Sequence, residues 1–209
     1  MNFKSNLFDF RKNQISAISF EDQKCSQKIA IELLSMLPDE IVDRPIVFVC
    51  IGTDRSTGDS LGPLIGTFLK EKSIAPFHIY GTLEEPIHAV NLVEKLKEIK
   101  EKHPDPIIIG IDACLGRLKN VGMIQIGEGP VKPGAGVKKD LPPVGDYHIT
   151  GIVNVSGFME FFVLQNTRLH LIMKMAKAIA NGIYEASRTY HPRNSWKNLN
   201  LGVDQEKTL

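Results

Sequence analysis

The chain has 209 residues, of which 43% are hydrophobic and 23% are charged, and its formal net charge is +1 at pH 7. This length and composition predict an ordinary globular domain that can bury a substantial core. The near-zero charge gives no electrostatic basis for binding nucleic acid or a membrane surface.

The three cysteines, at positions 25, 50 and 114, are widely spaced and include no C-x-x-C pair. This pattern fits a reduced cytosolic interior better than a disulfide framework or a zinc site. The N-terminus lacks the apolar stretch of a signal peptide, and no apolar run approaches the roughly 20 residues of a membrane helix. We therefore expect a cytoplasmic location.

Strand-like and helix-like segments alternate along the chain. Residues 1–20 are predicted to be an N-terminal arm and residues 190–209 a polar tail, so a single domain is expected over 21–189. Within it the predicted elements are, in chain order, a helix over 26–37, a strand over 46–51, a helix over 61–70, a strand over 77–80, a helix over 86–102, strands over 107–111, 122–126 and 147–155, and a helical pattern over 157–187, capped by Ser156 and broken near Asn166. This order predicts a three-layer α/β sandwich with a mainly parallel sheet.

Two of these strands lead into aspartates. The strand over 46–51 stops at Gly52 and is followed by a polar loop that carries Asp54 and Asp59, and the strand over 107–111 stops at Asp112. Ligands of open parallel sheets bind beyond the carboxyl ends of the strands, so we expect Asp59 and Asp112 to face each other there. Two close carboxyl groups share a proton, and such a pair can serve as a general acid and base.

Other interpretations of the same residues stay open or fail. Each aspartate could merely cap a turn. Motifs for dinucleotides, phosphate loops and zinc proteases are absent from the sequence. The letters GDSL at 58–61 match a serine esterase signature, but seven residues separate Ile51 from Asp59, and no Asp stands three residues before His170 or His191. We interpret the spelling as a coincidence.

The segment over 127–146 is rich in glycine and proline and is predicted to be a loop. A loop of this length in a compact domain is usually functional or disordered. His148 follows it directly in the chain. This histidine could point into the site or serve as a hydrogen-bonded structural residue.

Three blocks of the sequence, at 51–63, 107–113 and 124–139, together resemble the spore germination protease of endospore formers. They resemble still more the shorter sporulation proteins of the YyaC type. The resemblance implies a phosphorylase/hydrolase-like fold, and it places that family's catalytic aspartate pair on Asp59 and Asp112.

The resemblance also implies a substrate-binding surface around the pair. A glycine loop of the protease matches residues 132–137 here, and the expected substrate-binding residues are Thr53, Asp54, Ser60, Pro133, Gly134, Gly136, Lys138 and His148. The implied partner is a peptide or a small spore protein, with no nucleic acid or membrane, in the sporulating cell or forespore. Self-association into a homo-oligomer is compatible with it.

The chain departs from the germination protease in two ways. It is much shorter, and Gly58 stands where the protease has proline before its aspartate. The expected function is therefore an endopeptidase-like protein without a cofactor, and the alternative is a non-catalytic sporulation protein that keeps the fold as a binding module.

The same architecture also resembles hydrogenase maturation endopeptidases, which bind nickel. That resemblance implies a metal-dependent peptidase as a further alternative. Its divalent metal would be held by Asp59, Asp112 and His148, since two carboxylates and an imidazole suit such ions.

Overall fold

The computed structural model describes residues 15–37, 44–134 and 141–190. Within these ranges it has six strands and five α-helices. The strands are β1 (Ser16–Ser19), β2 (Ile46–Cys50), β3 (His78–Tyr80), β4 (Ile107–Gly116), β5 (Met123–Glu128) and β6 (Tyr147–Val155). The α-helices are α1 (Cys25–Met36), α2 (Leu61–Lys70), α3 (Leu92–Lys102), α4 (Glu160–Gln165) and α5 (Leu169–Thr189).

The six strands form one sheet in the order β1-β5-β6-β4-β2-β3. Strands β3, β2, β4 and β6 are parallel, whereas β5 runs antiparallel to both β6 and β1. The sheet is thus mainly parallel, as predicted. The carboxyl ends of β2, β4 and β6 meet at one edge of it.

Helices cover both faces of the sheet. Helices α1, α2 and α5 share one buried apolar cluster with alternate residues of β2 and β4, such as Phe48 and Ile109. Helix α3 packs on the opposite face, where Leu92 and Ile99 join Val49 in a smaller cluster. All five residues of β2 are buried, as a strand with both faces covered requires. The prediction of a three-layer α/β sandwich is confirmed.

The end of the predicted N-terminal arm, residues 16–19, forms the strand β1. Residues 16–19 pair antiparallel with β5 and bury Ile18, so the sheet begins before residue 21. Residues 1–14 lie outside the described ranges, and so does the predicted tail beyond Tyr190. The ring of Tyr190 packs 5.4 Å from that of Phe77, measured between centroids.

Strand β4 runs further than the sequence predicted. It was expected to stop before Asp112 but continues to Gly116, since β6 still pairs with it after β2 has ended. Asp112 therefore lies inside β4, at the level where β2, the other strand beside β4, ends.

Two predicted helices differ in extent. Helix α3 begins at Leu92 instead of Pro86, because Ile87 forms a β-bridge with Ile51 and accepts a hydrogen bond of 2.8 Å from the Gly52 N–H. The helical pattern over 157–187 divides into α4 and α5 with a break at Asn166, as predicted, but Met159 takes the N-cap position expected for Ser156. None of the helices in the described ranges is long and apolar enough to cross a membrane.

Candidate active site

The loop after β2 folds back so that Asp59 lies over the end of that strand. The backbone oxygen of Asp59 accepts a hydrogen bond of 3.1 Å from the Thr53 N–H. It also lies against Gly52, whose φ is +147° and where a Cβ atom would be 1.9 Å from the same oxygen. Only glycine fits this position, because both the φ value and the contact exclude a side chain.

Asp59 sits in a single 3₁₀ turn, Gly58–Ser60, that leads directly into α2. The Ser60 N–H donates to the backbone oxygen of Ser56 at 3.0 Å, and the Ser60 hydroxyl donates to the backbone oxygen of Thr57 at 2.7 Å. These bonds fix the turn, so the position of Asp59 is set by backbone contacts on both sides of it.

Asp112 lies opposite Thr150 of β6. The last contact of the β2 segment with β4 is the hydrogen bond of 2.7 Å from the Ile51 N–H to the Ile111 oxygen, one residue before Asp112. The chain of β2 then turns into the loop that carries Asp59. The structure thereby places the two aspartates at the carboxyl ends of the neighbouring strands β2 and β4.

The pKa of Asp112 is raised to about 8, first by burial and further by the negative charge of Asp59, against the opposing effect of the Ala113 N–H that donates to its Oδ1 at 2.8 Å. Asp112 is only partly exposed, and its loss of water contacts is the main cause of the rise in its pKa. At neutral pH the Asp112 carboxyl is therefore mainly protonated.

Burial also raises the pKa of Asp59, while the Ser56 hydroxyl opposes this rise by stabilising the charged form. Ser56 is 5% exposed, and its buried Oγ has no hydrogen-bond partner within the described ranges. Burial thus raises the pKa of both carboxyl groups, and that of Asp112 reaches about 8.

Neither aspartate forms an ion pair with lysine or arginine among the residues that the structure describes. Neither carboxyl group is thus neutralised by a basic side chain of the described residues. The negative charge of Asp59 adds to the raised pKa of Asp112, so the ionisation of one carboxyl group affects that of the other.

Cys114 and Thr150 extend the site on β4 and β6. Burial raises the pKa of the Cys114 thiol to about 11, with an opposing effect of Thr150 and a small further rise from the charge of Asp112. The thiol is therefore protonated at neutral pH and is not a nucleophile there. The sequence indicated Cys114 by its position two residues past Asp112, whereas Thr150 and Ser56 carried no signal, because the pairing with β6 and the loop conformation were unknown.

The predicted binding residues in the loop after β2 differ in their exposure to solvent. Thr53 is partly exposed, and its Oγ1 accepts a hydrogen bond of 3.3 Å from the Arg55 N–H. Asp54 is exposed at the loop surface. Ser60 was expected to bind substrate. It is buried, however, and its hydroxyl is bonded within the turn, so it is not open to a substrate.

The predicted binding loop is described only in part. Pro133 is buried and Gly134 has a φ of +102°, whereas Gly136 and Lys138 lie outside the described residues. His148 is partly buried, and its Nδ1 forms a hydrogen bond of 3.0 Å with the Gly129 oxygen. This bond ties His148 to the chain that follows β5, as the structural interpretation of that histidine requires.

The expected metal set is not assembled. Among the described residues no group of three or more His, Cys, Asp or Glu side chains lies close enough to hold a metal ion. Asp59, Asp112 and His148 thus do not form a site that fits a divalent cation.

Comparison with known proteins gives three similarities. Residues 17–182 match the family described as "Protein of unknown function (DUF1256)". The chain is 55% identical over 208 residues to "Uncharacterized protein YyaC" of Bacillus subtilis (strain 168), which covers 100% of this chain and 98% of that protein. A crystal structure of the NiFe hydrogenase maturation protease HycI from Thermococcus kodakarensis KOD1 matches with a TM-score of 0.44 and 20% identity, over 69% of this chain and 92% of that one.

Proposed function

This chain belongs to the DUF1256 family, and we propose that it is a hydrolase of peptide bonds that uses Asp59 and Asp112 to activate water. The observation that carries the proposal is the coupled carboxyl pair, in which burial and the Asp59 charge raise the pKa of Asp112 to about 8. A pair with one proton-holding and one ionised member is what general acid–base hydrolysis needs. The resemblance of the three sequence blocks to the spore germination protease supports the same assignment.

In the proposed mechanism Asp59 acts as the base. Its carboxylate takes a proton from a water molecule while the water oxygen bonds to the carbon of the peptide group. Asp112 gives its proton to the carbonyl oxygen, so a neutral tetrahedral gem-diol forms. Asp59 then passes its proton to the peptide nitrogen, and the C–N bond breaks as one gem-diol hydroxyl returns its proton to Asp112.

The substrate we propose is an extended segment of a small spore protein, in the sporulating cell. Thr53 and Asp54, in the loop that carries Asp59, and Gly134, after β5, have partly or fully exposed surfaces. These residues are the proposed contacts for the peptide backbone. The charge of +1 is compatible with a protein substrate of either sign.

Incubation with small acid-soluble spore proteins, followed by mass spectrometry of the products, tests this function. We expect cut sites with the parent protein and a loss of rate of about 100-fold or more in Asp59→Asn and in Asp112→Asn, the contribution typical of a general acid or base. Glu94→Gln is the control, because Glu94 is an exposed carboxylate on α3, apart from the proposed substrate contacts. Parent rates in both site variants would contradict the mechanism.

A non-catalytic binding module is the second candidate, and one observation favours it. Two grooves in the described part of the chain, one along β3 and one beside α3, include neither Asp59 nor Asp112. If the parent protein cuts none of the spore proteins but retains one of them on a column, and Asp112→Asn retains it as well, the binding module is the better account.

A further inference from the structure

A second surface with the features of a binding site lies at the edge of the sheet, away from the two aspartates. Strand β3 is the last strand of the sheet, and within the described residues it pairs only with β2. A strand with one neighbour leaves half of its N–H and C=O groups free for another chain. The outer side of β3 is therefore open to pairing.

A groove of about 510 Å³ runs along β3 and includes all three of its residues. It is bounded on one side of the sheet by the end of α2 and on the other side by α3. The side chains of His78 and Tyr80 lie on the α3 side, where both rings contact the ring of His103. Ile79 packs toward the opposite core. The groove could thus hold one more strand beside β3, between the two helical layers.

The charged side chains of the groove are mainly basic. Four lysines and two glutamates line it, namely Lys70, Lys72, Lys95, Lys102, Glu85 and Glu98. Two of the lysines are already paired, Lys70 with Glu84 at 2.9 Å and Lys95 with Glu98 at 2.7 Å. Their charges are largely compensated by these contacts.

The other two lysines have no carboxylate partner among the described residues. Lys72 lies over the ring of Tyr184 at 4.9 Å, and Lys102 lies over the ring of Tyr80 at 5.8 Å. Tyr184 belongs to α5 and Lys102 to α3, so one free cation stands on each side of the sheet. Successive side chains of a strand point to opposite faces, so two adjacent acidic residues of an added strand would each meet one of these cations.

We propose that the edge of β3 binds an extended acidic peptide segment, which adds to the sheet as a seventh strand. Backbone hydrogen bonds to β3 give affinity in this mode of recognition, and the side-chain contacts give specificity. Here Lys72 and Lys102 select consecutive acidic residues. The inference does not depend on the chemistry of Asp59 and Asp112.

Fluorescence anisotropy with the full chain tests the charge requirement. The probe is a fluorescein-labelled peptide, Val-Glu-Glu-Val-Glu-Glu-Val-Thr, and the comparison peptide has lysine for every glutamate. We expect saturable binding of the acidic peptide only, and a loss of about tenfold in affinity when Lys72→Glu and Lys102→Glu are combined, since each attraction becomes a repulsion. Lys97→Glu is the control, because Lys97 is an exposed residue of α3 outside this groove.

Backbone methylation tests strand addition separately from charge. A version of the acidic peptide with N-methyl groups on alternate amides keeps one free edge and is expected to bind like the parent peptide. A version methylated on four consecutive central amides keeps its charge but has no free edge, and its affinity is expected to fall at least about tenfold. The proposal is overturned if the parent peptide fails to bind, if the lysine peptide binds equally, if the combined lysine variant binds unchanged, or if the fully blocked peptide binds as well as the parent.

Discussion

At the scale of single residues, the buried Asp112 carboxyl ties the stability of the protein to pH. The pKa of Asp112 is about 8 in the folded chain, whereas 3.8 is its ordinary value. The folded state therefore holds this proton more tightly than the unfolded state does. The stabilising contribution is complete below about pH 4 and is lost as pH rises toward 8.

This shift predicts a pH-dependent free energy of unfolding. Between about pH 4 and pH 8 the free energy should fall by at most about 1.4 kcal/mol per pH unit from this group. Asp112→Asn cannot ionise, so its decline should be smaller and it should be more stable than the parent at pH 8. Urea denaturation at pH 5 and pH 8 measures both effects, with Asp54→Asn as the control. A variant at position 112 that keeps the full pH dependence of the parent would count against a buried, protonated Asp112.

The sequence indicates the two aspartates because Asp112 ends a short apolar run without polar alternation and Asp59 lies in the polar loop after another such run. That pattern places an acid near the carboxyl edge of a sheet. It does not say which loop side chains turn inward. Ser56 points to Asp59 and Ser60 points into its own turn, although both are serines of one loop, and only the backbone conformation distinguishes them.

At the scale of elements, the site depends on the close contact between Gly52 and the backbone of Asp59. Any side chain at position 52 would have to move the turn that carries the carboxyl group. The loop is thus positioned by sterics at its first residue and by the start of α2 at its last.

Gly52→Ala is expected to lower the free energy of unfolding by more than about 2 kcal/mol, because it adds a backbone clash to the strain of a positive φ. Gly157→Ala is the matched control, since Gly157 has a φ of +150° and nothing within 4 Å of the position of a Cβ atom. The control should cost only about 1 kcal/mol. Thermal or urea unfolding of the two variants compares them directly, and equal losses would show that the contact with Asp59 contributes nothing.

Element types were predictable in most of the chain, and the exceptions have a common physical cause. The segment 86–91 has helical spacing, but the β-bridge between Ile87 and Ile51 holds its first residues extended, and residues 89–91 form a turn. Strand β4 passes Asp112 because β6 continues to pair with it. Residues 16–19 lacked a clear pattern, but they have a partner in β5. In each case a long-range backbone pairing overrides the local pattern.

At the scale of the whole molecule, the helix pair that stabilises one face of the sheet is separate from the edge of the sheet that carries the candidate site. Helices α1 and α5 pack closely on one face, where a Cβ atom at Gly182 would lie 2.6 Å from side-chain atoms of Ile29. The two aspartates lie at the carboxyl edge of the sheet, outside this helix pair. Changes between these helices should therefore affect the fold without affecting the site.

Gly182→Ala is expected to cost about 1–3 kcal/mol of unfolding free energy through overpacking between α1 and α5. The titration of Asp112 should stay unchanged in the same variant, because neither its burial nor its neighbour Asp59 is altered. Urea unfolding and carboxyl NMR on one sample measure the two quantities. A shifted titration of Asp112 would show that the helix pair and the site are coupled.

The most direct measurement of the central claim is the titration of the Asp112 side-chain carboxyl carbon by ¹³C NMR, in the parent protein and in Asp59→Asn. The coupled pair predicts a pKa near 8 in the parent protein. It also predicts a lower pKa in the variant, because the negative charge that opposes ionisation is gone. A pKa near 3.8 in the parent protein, or the same pKa in both proteins, would contradict the pairing of these two residues.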